Sequence, residues 1–369
     1  MIAQKHPMNN ISVNVAAKVG TSLHRYSHSP LCIVKRNIES FCNQVALERG
    51  ETPFTIVDDL SPIVTTKQCF DDLRVPPDHV SRSSSDTYYL SDTLLLRAHT
   101  SAHQCSLMAS GETSFLCSGD VYRRDEVDAS HYPVFHQMEG VRLYPDSAFP
   151  PDMPVDERKA VIAADLKDIL SRLAVHLFGD VEVRWANDYF PFTEPSYELE
   201  VKFNDTWLEV LGCGVIHDDV IHNAGLPAGQ LGYAFGLGLE RLAMVLFGIP
   251  DIRLFWSQDP RYLDQFQEGN ITKFVPYSKY PMCYKDVSFW LPEDYHVNDL
   301  HEVVRAQAGD LVEKVEMFDE FTHPKTGRSS QAWRITYRHM DRSLTNEEVD
   351  LIQVNIREEL TTQLKVELR

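Results

Sequence analysis

The hydrophobic positions of the chain follow two rhythms. Over residues 31–49, Ile33, Ile38, Phe41 and Val45 recur at helical spacing. Over 155–179, "VDERKAVIAADLKDILSRLAVHLFG" repeats apolar residues every three or four positions and stops at Gly179, a helix and its cap. "GLGLERLAMVLFG" (236–248) predicts a third helix, with Gly238 near its start and Gly248 at its end. Elsewhere the period is two. "VEVRWANDYFPF" (181–192) and "YELEVKFNDTWLEVLGCG" (197–214) alternate apolar and polar residues, as antiparallel strands joined by turns do. A proline- and serine-rich stretch, from Pro53 to the Ser81–Ser85 cluster, separates the first helix from the strands. Strands flanked by helices predict an α+β domain around a mainly antiparallel sheet.

The pattern breaks at "QEGNITKFVPYSKYP" (267–281). Beyond it a strand, a helix, two strands, a helix and a last strand follow, up to "KVEL" (365–368). That βαββαβ order is the ferredoxin-like split motif. The expected organisation is therefore a tail over 1–30, a first domain over 31–268, a linker over 269–278 and a second domain over 279–369.

Composition narrows the function. A chain of 369 residues can bury two cores. No apolar run is long enough for a membrane span, so no membrane partner is expected. The seven cysteines form no C-x-x-C pair and fit buried thiols in a reducing compartment. A net charge of −19 excludes a protein that coats nucleic acid nonspecifically; any such contact needs a local basic patch. From Met1 to Ile38 there is no acid, while Lys5, Lys18, Arg25, Lys35 and Arg36 stand among serines. That composition reads as an organellar transit peptide or a disordered tail.

One strand-forming segment, "GDVYRRDEVDASHYPVFHQMEG" (119–140), carries unusual polarity toward its own core. Along its second strand Phe135, Gln137 and Glu139 share a face, an amide and a carboxylate suited to an ammonium group. Arg123 on the first strand suits a phosphate, because its planar fork bonds two oxygens at once.

This segment closely resembles motif 2 of the phenylalanyl-tRNA synthetases, which are class II synthetases. "LLRAHTSAHQ" (95–104) resembles the family's substrate segment, "YFPFTEPS" (189–196) its phenylalanine-pocket strand, and "GYAFGLGLERLAMVLFGIPDIR" (232–253) its motif 3. The tail is similar to the family's ferredoxin-like anticodon-binding domain. Fused on one chain, the two resemble the monomeric mitochondrial form.

The resemblance implies ATP-dependent attachment of phenylalanine to tRNA(Phe) through an adenylate, in the mitochondrial matrix, with ATP, Mg²⁺, phenylalanine and tRNA(Phe) as partners. It implies that Arg123 and Arg241 hold the α- and γ-phosphates, and that Ser130, His131 and Tyr132 line the nucleotide side. Gln137 and Glu139 would grip the substrate ammonium, with Met138 between them. The segment His99, Ser101, Ala102, His103 and Gln104 would complete the polar end. Phe190 and Phe192 would face the substrate ring, and Ala234 and Phe235 would shape the floor. Glu194 and Glu209 are the candidates for Mg²⁺. Motif 2 commonly reads Arg-x-Glu, whereas Asp125 stands here, so Glu126 or water could replace its contact to adenine.

Activation is in-line displacement at phosphorus, which needs positioning and charge neutralisation rather than a protein nucleophile. Lys325, Arg328, Arg334, Arg338 and Arg342 cluster where Asp341 is the sole acid, a stripe suited to tRNA. On this view, deleting 279–369 should spare adenylate formation. The alternative is a non-catalytic synthetase-derived RNA-binding or accessory protein, which would be expected to lose these contacts.

Overall fold

The computed structural model describes residues 6–203, 205–276 and 280–369. Helix α1 (Pro30–Glu48) begins where Ser29 accepts a hydrogen bond from the Leu31 amide and Pro30 supplies the first helical φ. It buries Leu31, Val34, Ile38, Cys42 and Val45. Strand β1 (Thr55–Val57) follows, then β2 (Ser114–Tyr122) and β3 (Val134–Tyr144). Helix α2 (Val155–Phe178) carries Asp156 and Glu157 in its first turn, where the helix dipole favours acids, and ends at Gly179 with φ +80°. Strands β4 (Val183–Asp188), β5 (Thr193–Phe203), β6 (Thr206–Ile216) and β7 (Leu231–Gly238) lead to helix α3 (Leu239–Phe247).

These strands form one seven-stranded sheet in the order β1-β2-β3-β7-β6-β5-β4. Only the β1–β2 pair is parallel. Side chains alternate between its faces. Leu116, Met138, Phe235 and Leu237 turn toward α1, α2 and α3, whereas Phe115, Cys117, Val141 and Ala234 join a second apolar cluster on the other face.

Two expected elements shift. Residues 236–238 continue β7, because Gly236 and Gly238 pair with Glu139 and Gln137 of β3, and the helix starts only at Leu239. Tyr189–Phe192 form the turn into β5 rather than part of a strand; Pro191 has no amide to donate, and the Thr193 amide closes back on the Phe190 carbonyl at 3.2 Å.

The C-terminal unit holds β8 (Cys283–Trp290), α4 (Val297–Ala308), β9 (Val312–Thr322), β10 (Ser329–Tyr337), α5 (Asn346–Gln363) and β11 (Glu367–Leu368). Its antiparallel order is β9-β10-β8-β11, with both helices on the face of Phe289, Trp333, Ile335 and Tyr337. A capping box between Thr345 and Glu348 opens α5. In the preceding linker, Lys273 donates to the last carbonyls of α3, at 2.8 Å for Leu246.

Part of the amino-terminal segment packs against the rest of the chain. Residues 9–29 are built into the body: Val15, Leu23 and His24 are buried, and the Asn10 amide bonds the Ser84 and Thr87 carbonyls at 2.9 Å. Residues 1–5 lie outside the described residues. Basic residues of this segment pair with acids of the body. Lys18 meets Asp310 at 3.3 Å, and Lys35 meets Asp58 at 2.6 Å and Glu39 at 3.0 Å. Among the described residues no helix is long and apolar enough to cross a membrane.

Lys35 is 4% exposed, so its removal strands two partly buried carboxylates. Lys35→Ala should destabilise the first domain by about 3 kcal/mol, measured by denaturant unfolding of the full chain. A loss below about 1 kcal/mol would mean that the carboxylates find water instead.

Candidate active site

A cavity of about 600 Å³ opens on the sheet face opposite the three helices. Its floor is one row across the sheet. Glu139 of β3 stands opposite Gly236 of β7, Gly236 opposite Gly212 of β6, and Gly212 opposite Glu198 of β5. Two glycines between two carboxyls leave a flat seat. A Cβ at Gly236 would meet nothing within 4 Å, whereas one at Gly212 would lie 2.7 Å from the Phe190 ring. That ring stacks on Phe192 at 5.8 Å and forms an apolar wall with it.

The polar end is His99, Ser101, Gln137 and Glu139. Both carboxylate oxygens of Glu139 are buried with no hydrogen-bonding partner of good geometry. Burial pushes this carboxyl up to about 8, which the neighbouring Ser101 hydroxyl offsets only in part. Burial and the Arg123 charge push His99 down to about 3, so it stands neutral at physiological pH, its Nδ1 without a partner.

The opposite end holds Arg123, Arg124 and Asp125, just past the end of β2. The Arg123 Nε donates to the Ala98 carbonyl at 2.8 Å, and its guanidinium lies 5.2 Å from the centre of the Phe135 ring. Burial lowers its pKa, and Asp125 pulls the other way. A half-buried cation held mainly by a carbonyl and a ring favours an incoming anion. Glu209 lines the cavity, and Arg241, in the first turn of α3, meets it at the exposed rim at 3.2 Å.

Several expected residues lie elsewhere. Met138 and Phe235 point their side chains into the helix-side core, because their neighbours Gln137, Glu139 and Ala234 occupy the cavity face. Phe235 reaches the cavity only beside Ala234, while its ring packs 2.2 Å from where a Gly140 Cβ would stand. Ala102, His103 and Gln104 are buried behind the wall, where His103 meets Arg97 at 2.8 Å and Arg97 pairs with Asp120 at 2.9 Å. The Gln104 amide is buried without a partner, and nothing in the fold accounts for it.

Ser130, His131 and Tyr132 do not line the cavity. Their loop folds over Asp128, whose carboxylate takes the Ser130 and His131 amides at 2.7 and 2.8 Å and the His131 ring at 2.8 Å. Tyr132 is buried instead, where it donates to Asp310 and stacks on Trp256 at 5.7 Å. Glu194 is exposed beside His217, 3.5 Å away. Glu198, opposite Gly212, lies near Glu209: burial, then the charges of Glu209 and Asp188, push its carboxyl up to about 7. Glu198 and Glu209 are hard oxygen donors that repel each other, a set suited to Mg²⁺.

Sequence reasoning missed Glu198, the two floor glycines and Asn298, which reaches the cavity from the second domain. In that domain, Arg328, Arg334, Arg338 and Arg342 of the basic stripe each pair with a carboxylate: Glu367, Asp286, Glu313 and Glu348. Lys325 is exposed in the turn before β10.

Comparison with known proteins agrees with this geometry. The model for "tRNA synthetases class II core domain (F)" matches residues 33–266, and that for "Ferredoxin-fold anticodon binding domain" matches 278–369. Over its whole length the chain is 50% identical to a phenylalanine–tRNA ligase, chloroplastic/mitochondrial, of Arabidopsis thaliana, covering 85% of it. The chain belongs to the phenylalanine–tRNA ligase family. A mitochondrial phenylalanine–tRNA ligase of Mus musculus is 48% identical over 98% of this chain and 86% of its own. That of Saccharomyces cerevisiae is 40% identical over 98% and 92%.

Within the family the two floor glycines separate packing from binding. Gly236→Ala should leave the thermal midpoint nearly unchanged yet weaken phenylalanine binding, because its methyl enters open cavity. Gly212→Ala should lower stability by about 1–3 kcal/mol as Phe190 is forced aside. Calorimetric titration with phenylalanine and thermal unfolding of both variants check the contrast; full affinity in Gly236→Ala would move the substrate off this row.

Proposed function

We propose that this chain activates phenylalanine with ATP and transfers it to tRNA(Phe) as a monomer in the mitochondrial matrix. The observation that carries this reading is Glu139, a buried carboxyl without a partner at the end of an apolar seat. An ammonium group would complete it, and a phenyl ring would lie along the wall of Phe190 and Phe192 with Ala234 beneath. Gln137 would orient the ammonium, while neutral His99 and Ser101 would hold the carboxylate without adding charge.

That carboxylate attacks the α-phosphorus, and pyrophosphate leaves. Arg123 would bind the α-phosphate and draw charge from the attacked centre. Arg241 would exchange Glu209 for the γ-phosphate. Asp125 would face the adenine. When bound, Mg²⁺ would neutralise phosphate charge, with Glu198 and Glu209 as its protein donors. The terminal 2′-hydroxyl of tRNA then attacks the adenylate and releases AMP. Lys325, Arg328, Arg334, Arg338 and Arg342 would contact tRNA by trading carboxylates for phosphates. Such an exchange weakens each contact and rewards correct placement. A non-catalytic role would leave Glu139, Arg123 and the empty seat without a use. Pyrophosphate exchange with each of the twenty amino acids tests the reading: exchange supported by phenylalanine alone is expected, and none with phenylalanine would overturn it.

Arg241 is exposed, so Arg241→Ala should leave folding intact and lower exchange by about 2–4 kcal/mol in the transition state, by analogy with other charge-stabilising donors. Near-parental exchange in that variant would assign the γ-phosphate to another group.

Glu139 gives a pH signature. Below about 8 it is protonated in the empty site, and a bound ammonium favours its ionised form. Phenylalanine affinity should therefore rise with pH from 6 to 8, with release of a proton. Titration in buffers of different ionisation enthalpy measures that release, and Glu139→Gln should abolish it. Equal proton release by parent and variant would place the titrating group elsewhere.

A further inference from the structure

The loop that leaves β2 carries Arg123 and Asp125 to the nucleotide end of the cavity, and the first domain holds its start, where the Arg123 amide donates to the Pro133 carbonyl at 3.1 Å and the Arg124 amide to the Asp86 carbonyl at 2.8 Å. Four consecutive carbonyls, of residues 124 to 127, accept hydrogen bonds from the second domain. Asn298 donates to Arg124 at 3.1 Å, Arg305 to Asp125 at 2.7 Å and to Glu126 at 3.2 Å, and the Val315 amide to Val127 at 2.9 Å. The Val127 side chain packs in the core of the second domain. Asn298 also donates to the Ser85 carbonyl at 3.2 Å, in the other segment that walls this end, and itself lines the cavity. Arg124 completes the junction by pairing with Asp299 at 3.0 Å.

The donors are themselves fixed. Arg305 is buried and pairs with Glu302 at 2.8 Å, and the same Glu302 oxygen takes the buried Tyr88 hydroxyl at 2.7 Å. A guanidinium locked on one side by a carboxylate presents its remaining N–H groups in a set direction. Asn298 sits in the first turn of α4, with its own amide capped by His296 at 3.2 Å. Backbone carbonyls satisfied by rigid donors cannot drift, and a drift of this loop carries Arg123 and Asp125 with it.

We propose that the second domain is a working part of the activation site, and that Asn298 and Arg305 are positioning residues that set the ATP-binding loop. The proposal rests on the reading that the Arg123–Asp125 end receives ATP. Neither side chain need touch the reacting atoms; each acts through a backbone carbonyl. The phenylalanine end, built from β3, β6 and β7, shares none of these bonds. The expected defect is therefore confined to one substrate.

Asn298→Ala and Asn298→Asp both lose the amide donor, and the carboxylate adds repulsion toward two carbonyls. Arg305→Lys keeps the charge opposite Glu302 but cannot reach two carbonyls with a planar fork. Each variant of the full-length chain is measured by equilibrium binding of ATP, by calorimetric binding of phenylalanine without ATP, and by pyrophosphate exchange. ATP affinity should fall about fivefold to tenfold in Asn298→Ala and Arg305→Lys, and further in Asn298→Asp. Phenylalanine affinity and the thermal midpoint should stay near those of the parent, and the exchange defect should appear in KM for ATP. Parental ATP affinity in all three variants would overturn the proposal. So would equal losses for ATP and phenylalanine, which mark general loosening. A parent that binds ATP but shows no phenylalanine-dependent exchange would sink the activation reading and leave the loop comparison decisive. A parent that binds no ATP would sink both.

Discussion

A carboxyl buried without a partner is the constraint around which this molecule is arranged. Glu139 sits on a central strand, where the sheet offers two places for a side chain: the helix-side core or the cavity. In the core it would face Leu116 and Phe235; on the cavity face it stands beside Gly236, which offers no atom to crowd or neutralise it. Holding it there costs stability, as its rise to about 8 records. The opposite face is what makes that tolerable. Helices α1, α2 and α3 cover it with one continuous apolar cluster, so the strand cannot slip by a residue without exposing Met138 and burying more charge.

Electrostatics then ties the periphery to this centre. The body is acidic, and cations from sequence-distant segments pair with some of its carboxylates. Lys35 and Arg25 reach Asp58, Lys18 reaches Asp310, and Arg253 reaches Glu313. The same principle runs through the basic stripe of the second domain, whose arginines are paired before any tRNA arrives. An acid-free amino terminus is what a leader has, but also what an acidic body needs as a partner.

How much was legible follows from the range of each interaction. Periodicity found α1, α2 and the βαββαβ tail, because amphipathic faces are written locally. It also separated Gln137 and Glu139 from Met138, although motif likeness grouped all three; side-chain direction was the better guide. Gly236–Gly238 read as helix because the pairing that makes them strand comes from Glu139 and Gln137, nearly a hundred positions away. His131 carried no sign that Asp128 would fold its loop away from the cavity. Asn298 had no local signal at all, since its partners are carbonyls of residues 85 and 124.

The boundary between the two domains is clear in sequence and blurred in chemistry. A domain that buries its own core should be separable, and on that ground the second domain looked dispensable for adenylate formation. The loop 124–127 argues otherwise. Its carbonyls are satisfied, and Val127 is buried, only with the second domain in place. Removing that domain would leave polar backbone and an apolar side chain exposed at the Arg123 end of the cavity. Water can bond the freed carbonyls at little enthalpic cost, but it cannot hold them still. On the proposed reading, what the second domain supplies to activation is order, through the segment that carries Arg123.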